Sequence, residues 1–259
     1  MGSNDISIPS ESIRNMTVMK LTLEYDGTFY HGWQKQPHLP TVQGALEKAL
    51  FQITGDKITI QGAGRTDAGV HAYGQVASFT SEKRFEPDVW ARALNALLPA
   101  DIAVRSAEAA PSDFHARFSA KKKTYSYFIY NNRGRSPLRR MVAWHVYQPL
   151  DVRKMRAAAG RLIGEHDFTS FCAASSEAKD RRLHLQKIEV TQEGDQIRMT
   201  FEAPRFLQYM IRNIVGFLVE IGRGKRAASD ASLVLERKDR RTAGPTAPPQ
   251  GLFLVKIEY

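Results

Sequence analysis

Residues 19–25, Met-Lys-Leu-Thr-Leu-Glu-Tyr, alternate apolar and polar side chains. That is the pattern of a strand with one buried face, and Asp26-Gly27 supplies the turn that ends it. The period then changes. Val42, Ala45, Leu46, Ala49, Leu50 and Ile53 recur every three or four positions. Residues 42–54 are therefore predicted as a helix, with Thr41 as N-cap and Gly55 as its stop. Short strands are expected over 58–61 and 75–80. A second helix is expected over 87–98, with Val89, Trp90, Ala93, Leu94 and Leu97 inward, and a strand over 102–108.

The second half has comparable elements. Residues 123–130 alternate as a strand with Tyr125, Tyr127 and Ile129 on one face, and 142–147 read as its neighbour. Asp151 caps a helix carrying Val152, Met155, Ala159 and Leu162. Residues 183–191 and 196–202 form a hairpin around Gly194-Asp195. A helix over 207–221 presents Leu207, Met210, Ile211, Ile214, Val215 and Leu218, and Gly222 and Gly224 stop it. A weaker helix over 229–235, a loop marked by Pro245, Pro248 and Pro249, and a strand over 252–259 complete the chain. Hairpin-like pairs are frequent and parallel crossover units few. The expected fold class is α+β: two similar α/β subdomains sharing a mixed, mostly antiparallel sheet. The expected division is a flexible tail over 1–18, an N-terminal catalytic-loop subdomain over 19–115 and a C-terminal subdomain over 116–259 that completes the cleft.

Composition narrows the class. A chain of 259 residues with 42% hydrophobic and 25% charged side chains is globular rather than disordered. Its single cysteine, Cys172, rules out an intrachain disulfide and a cysteine zinc cage. No apolar run has the length of a membrane span, and Glu220 interrupts the richest one, over 214–221. The first 18 residues lack the hydrophobic core of a signal peptide. A soluble, cytoplasmic protein is expected. The net charge of +10 is clustered: Lys121-Lys122-Lys123, Arg133, Arg135, Arg139 and Arg140 first. Arg181-Arg182, then Arg223, Lys225 and Arg226, then Arg237, Lys238, Arg240 and Arg241 follow. Such clusters suit a phosphate backbone, whereas an even scatter would read as a solvated surface.

The candidate chemistry sits in the loop Gly64-Arg65-Thr66-Asp67-Ala68-Gly69. By itself, Asp67 reads either as a turn aspartate bonding its own backbone or as a reactive carboxylate. The loop lacks the Lys-Ser/Thr ending of a P-loop and the third glycine of a dinucleotide fingerprint.

Gly64-Arg65-Thr66-Asp67-Ala68-Gly69-Val70-His71-Ala72 resembles the signature of the tRNA pseudouridine synthase A family. Four more stretches resemble that family in order. They are Tyr25-Asp26-Gly27-Thr28-Phe29-Tyr30-His31-Gly32-Trp33-Gln34, Lys123-Thr124-Tyr125-Ser126-Tyr127, Phe206-Leu207-Gln208-Tyr209-Met210-Ile211-Arg212-Asn213 and Ala247-Pro248-Pro249-Gln250-Gly251-Leu252. Residues 1–18 and 177–182 depart from the pattern. The resemblance implies that Asp67 is the nucleophile, that Tyr125 lies against the target uracil, that Arg65 flanks the catalytic loop and that Arg212 pairs with the catalytic carboxylate. It also implies a pseudouridine synthase-like fold, action on uridines 38, 39 and 40 of the tRNA anticodon stem-loop, a homodimer, and no metal or organic cofactor.

The reaction suits these residue types. It breaks the N1–C1′ glycosidic bond, turns the base and rejoins it through C5. A carboxylate nucleophile, proton transfers and a closed pocket suffice. A dry pocket raises a carboxylate above its usual pKa of about 3.9, and an arginine ~4 Å away opposes that with roughly 4 kcal/mol at an effective dielectric of ~20. Bland readings stand beside the functional ones: Arg212 as a snorkelling rim residue, Tyr125 as strand core, Leu252 as strand core or a wall of the base pocket, His71 as a loop-fixing hydrogen bonder or a contact to RNA phosphate, Gly69 as the seat of an unusual backbone angle. An RNA-binding protein with an inert loop fits the basic clusters equally. A glycoside hydrolase needs a second placed carboxylate, for which Glu24 and Asp26 are the nearest candidates.

Overall fold

The computed structural model describes residues 16–176 and 178–259. The first half runs β1 (Thr17–Tyr25), α1 (Val42–Thr54), β2 (Gln61–Gly62), β3 (His71–Ser81), α2 (Pro87–Leu97) and β4 (Ile102–Ala110). The second half begins with β5 (Lys122–Tyr130), β6 (Trp144–His145), α3 (Val152–Gly160), β7 (Gly164–Asp167) and β8 (Arg182–Leu185). It continues through β9 (Lys187–Glu193), β10 (Gln196–Ala203), α4 (Met210–Gly222), α5 (Asp230–Arg237) and β11 (Leu252–Glu258).

One sheet runs through both halves in the order β4-β1-β3-β11-β5-β10-β9. Its pairings are antiparallel except β3–β11 and β5–β6, so the mixed, mostly antiparallel α+β fold is what the chain adopts. The last strand lies between the halves. β11 pairs Leu254 with Ala72 of β3 on one side and with Tyr125 of β5 on the other. That insertion puts the strand leaving the Asp67 loop within one strand's width of Tyr125.

Local signals explain several elements. The Thr41 hydroxyl accepts the Gly44 N–H at 3.2 Å to cap α1, and Gly55 ends it at φ 79°. Asp151 caps α3 by accepting the Lys154 N–H at 3.1 Å. α4 is buried nearly all round, with Ile214, Val215, Phe217, Leu218 and Ile221 inaccessible. Burial of each such side chain contributes roughly 1.5–3 kcal/mol, which makes α4 the anchor of the second-half core.

The differences have physical causes. β3 starts at His71 rather than at residue 75, because its first residues pair with β11, whose partner strand is nearly two hundred positions away. The strand over 58–61 shrinks to Gln61–Gly62. The hairpin strand over 183–191 breaks at Gln186, whose N–H bonds the Glu202 carbonyl, and β8 turns away to pair with β7, a strand the pattern does not announce. α4 begins at Met210 because Tyr209 is left-handed, at φ 61°. α2 buries only Trp90 and Leu94, and Leu97 is exposed. Of the expected tail, residues 1–15 lie outside the described residues, as does Glu177. Thr17 and Val18 belong to β1 and pair with Ser81 and Thr80. Among the described residues no helix is long and apolar enough to cross a membrane.

Candidate active site

Asp67 lies in the loop between β2 and β3 with its carboxylate turned into the molecule. Its Oδ2 accepts from Arg212 Nη1 at 3.2 Å, and the two side chains are only 23% and 14% exposed. Its side chain makes no bond to its own backbone among the described residues, so it is not the self-capping aspartate that the loop alone allowed. Burial raises the carboxyl above its ordinary range, and the Arg212 charge and hydrogen bond act against that rise.

Arg212 comes from the first turn of α4. Its Nε donates to the Ala247 carbonyl at 2.8 Å, and its guanidinium lies 4.9 Å from the Tyr209 ring centroid. It is therefore turned inward and doubly held, not snorkelling at the rim. Tyr125 is buried on β5 and meets Phe206 edge-on at 5.2 Å. Burial, Tyr25 and the Asp67 charge all push its hydroxyl above the usual phenol range, which keeps it neutral. A Cβ added at Gly64 would lie 3.6 Å from both the Tyr125 hydroxyl and the Lys123 amine, so both groups line the loop that carries Asp67. Arg65, two residues from Asp67, is exposed and makes no hydrogen bond or ion pair with the described residues. The structure thus brings Asp67, Arg212 and Tyr125 together, and leaves Arg65 exposed on the same loop.

The loop's shape is held by groups to which the sequence assigned no role at the site. Lys123 Nζ donates to the Ala63 carbonyl at 2.7 Å, and Gln75 Nε2 to the Gly64 carbonyl at 2.8 Å. The Tyr25 hydroxyl meets Thr66 Oγ1 at 2.8 Å, and the Trp33 N–H bonds the Thr66 carbonyl at 3.0 Å. Burial pulls the Lys123 amine down to about 8, with the Arg117 charge adding to the effect, and pushes the Tyr25 hydroxyl up to about 12. Gly69 is at φ 75°, where a side chain would be strained, and its Cβ would press on the Pro249 ring at 3.0 Å. His71 is buried with its ring stacked on Phe253, 4.5 Å between centroids. Its Nδ1 faces the Gly27 N–H at 3.1 Å and the Asp26 carboxylate at 3.0 Å, and burial lowers its pKa. His71 therefore ties the start of β3 to the turn after β1. Leu252 is buried at the start of β11, opposite Tyr127.

Several members of the basic clusters pair with carboxylates of the same chain. Lys122 pairs with Glu202 and Glu258, Arg226 with Glu220, Lys238 with Asp167 and Arg241 with Asp239. Arg133, Arg135 and Arg140 pair with no carboxylate among the described residues, and Arg139 lies over the Tyr130 ring. No group of three or more His, Cys, Asp or Glu side chains among the described residues is placed to hold a metal ion.

A family model described as tRNA pseudouridine synthase matches residues 22–119 and 158–259. Asp67 and Arg212 lie inside these stretches, and Tyr125 lies between them. Among curated relatives, tRNA pseudouridine synthase A of Myxococcus xanthus is 47% identical over 246 residues, 94% of this chain and 92% of that protein. The protein of the same name in Moorella thermoacetica is 49% identical over 94% of this chain and 100% of its own length. That of Bartonella tribocorum is 44% identical over 94% of this chain and 100% of its own length. A family match in both halves, with relatives close to half identical along nearly the whole chain, establishes that the chain belongs to the tRNA pseudouridine synthase family.

Proposed function

We propose that this protein isomerises uridine to pseudouridine at positions 38, 39 and 40 of the tRNA anticodon stem-loop, with Asp67 as the attacking carboxylate. The observation that carries the reading is the ion pair between Asp67 and Arg212 beside Tyr125, in a loop tethered at four points. Family membership supplies the reaction. The geometry supports the assignment of roles.

The target base leaves its stack, at a cost of a few kcal/mol. The buried ring of Tyr125 offers it an apolar face. Asp67 attacks C6 of the base or C1′ of the ribose, and the N1–C1′ bond breaks. The base rotates, C5 bonds to C1′, the carboxylate is expelled, the C5 proton passes to solvent and N1 gains one. The attack needs an ionised Asp67. At 3.2 Å and an effective dielectric of ~20 the attraction of Arg212 amounts to about 5 kcal/mol before desolvation is subtracted. That attraction opposes a burial that would otherwise keep the acid protonated. Arg65, exposed and without a partner among the described residues, suits a phosphate of the stem-loop.

The protein works in the cytoplasm on tRNA, as a homodimer, with its own side chains as the whole catalytic apparatus. Sedimentation velocity then gives a species of twice the 29.1 kDa chain mass. Tritium release from C5-labelled uridine in unmodified tRNA tests the activity. Release confined to positions 38, 39 and 40 is expected. Tight tRNA binding without release from any position would support an RNA-binding protein with an inert loop.

A further inference from the structure

Besides Asp67, the Arg212 side chain has one hydrogen-bond acceptor among the described residues, the Ala247 carbonyl, and that carbonyl is itself held by a network distant in sequence. Ala247 and Arg212 clasp each other. The Ala247 N–H donates to the Arg212 carbonyl at 3.0 Å while Arg212 Nε donates to the Ala247 carbonyl at 2.8 Å. Next to Arg212 on α4, the Asn213 side chain is fully buried. Its Nδ2 donates to the Phe171 carbonyl at 2.8 Å. Its Oδ1 accepts from Arg240 Nη2 at 2.8 Å and from the Thr246 hydroxyl at 2.7 Å. Arg240 Nη2 also donates to Thr246 Oγ1 at 2.8 Å, and its Nη1 donates to the Gly244 carbonyl at 2.7 Å.

Residues 244–249 thus form a strap pinned to α4. The pinning is close. A Cβ at Gly216 would lie 1.8 Å from the Pro245 carbonyl oxygen, so only glycine admits the strap there. Beyond Ala247 the strap continues to the site. The Tyr127 hydroxyl donates to the Pro248 carbonyl at 2.7 Å, and the Pro249 ring rests against Gly69 of the catalytic loop. Arg240 pairs with no carboxylate among the described residues. All its hydrogen bonds go to neutral acceptors that locate the strap.

We propose that Arg240 and Thr246 are positioning residues for the isomerisation: through Asn213 they fix the Ala247 carbonyl that aims the Arg212 guanidinium at Asp67. A long side chain that reaches its carboxylate through one Nη at 3.2 Å keeps free rotors unless its Nε is anchored. Misplacement by about 1 Å is enough to lower a rate by roughly a hundredfold. The proposal rests on the reading of Asp67 as the attacking group.

The test uses the full-length protein and unmodified tRNA under single-turnover conditions. Thr246→Val removes the hydroxyl while keeping the shape, and Arg240→Met removes the guanidinium. Saturating rates are expected to fall roughly tenfold for Thr246→Val and ten- to a hundredfold for Arg240→Met, with tRNA Kd within about twofold of wild type. The double variant should lose little more than Arg240→Met alone, because both act on one carbonyl. Thr246→Ser should restore the rate, and the acid limb of the rate profile should move to higher pH as Arg212 loses its hold on Asp67.

A folded Thr246→Val protein with the wild-type rate and pH profile overturns the proposal. So does an Arg240→Met protein that loses affinity but keeps its saturating rate, which would make Arg240 a phosphate contact. If Arg240→Met does not fold, the Thr246 pair decides. Asp67→Asn run alongside separates the two claims. Activity in that variant defeats the reading of Asp67, whereas an inert Asp67→Asn beside a wild-type Thr246→Val defeats only the strap.

Discussion

Arg212 and Asp67 stand 145 positions apart in sequence and meet at 3.2 Å, with the arginine held from behind by the Ala247 carbonyl. One residue comes from the first turn of the most buried helix and the other from a loop in the opposite half. The site therefore exists only when both halves are assembled on the shared sheet. Arg212→Met is expected to lower the saturating single-turnover rate about a hundredfold or more, the scale of losing a preorganised charge in a closed site, while tRNA Kd changes by no more than a few fold. Loss of affinity with the rate retained would make Arg212 an RNA contact.

The rate profile should show a displaced acid limb. The Asp67 pKa is raised by burial, and Arg212 only partly offsets this. The carboxylate is then lost on acidification at a higher pH than an ordinary aspartate, and activity falls with it. The single-turnover rate is expected to decline through a pKa above the usual aspartate range of about 3.9 in a protein that circular dichroism shows still folded. A profile flat down to that ordinary value would contradict an ionised, desolvated nucleophile. In Arg212→Met the limb should move further up.

Lys123 gives a stability signature. Its folded-state pKa, about 8, lies below the 10.5 of an unperturbed lysine. Between those values the unfolded chain carries a proton that the folded chain has released, so this group makes stability rise with pH across the window. Urea denaturation near pH 7.5 and 9.5 is expected to show that rise in the wild type and a smaller one in Lys123→Met. Equal pH dependence in the two proteins would show that the amine is not desolvated on the Ala63 carbonyl.

Arg65 separates binding from chemistry. Exposed and unpaired among the described residues, it is free to neutralise one phosphate. Arg65→Ala is expected to weaken tRNA binding and to reduce the slope of log Kd against log salt by about 0.7–0.9, leaving the saturating rate near wild type. A lower saturating rate with an unchanged slope would place Arg65 in the reaction itself.

What the chain reveals in advance follows from how local each signal is. α1 is legible to the residue because Thr41 and Gly55 act within one turn of its ends. The mixed sheet is legible from alternation in β1 and β5. The break at Gln186 is not, because it lies in an alternating stretch and is decided by the distant Glu202 carbonyl. Asp67 was ambiguous for the same reason: its own loop cannot display a partner 145 residues away. Only the five motifs in order pointed there. Charge was the least legible quantity. Lys123 and Arg240 counted as members of basic clusters, yet one is spent on the Ala63 carbonyl and the other on the strap behind Arg212.

The central claim is that the Asp67 carboxylate attacks the substrate, and one substitution tests it most directly. Asp67→Asn keeps the side chain's shape and an acceptor for Arg212 while removing the charge. With unmodified tRNA carrying C5-tritiated uridine, the variant is expected to bind tRNA as the wild type does and to release no tritium above background. Release at a rate within about tenfold of the wild type would contradict the assignment, since removal of a covalent nucleophile costs far more than that.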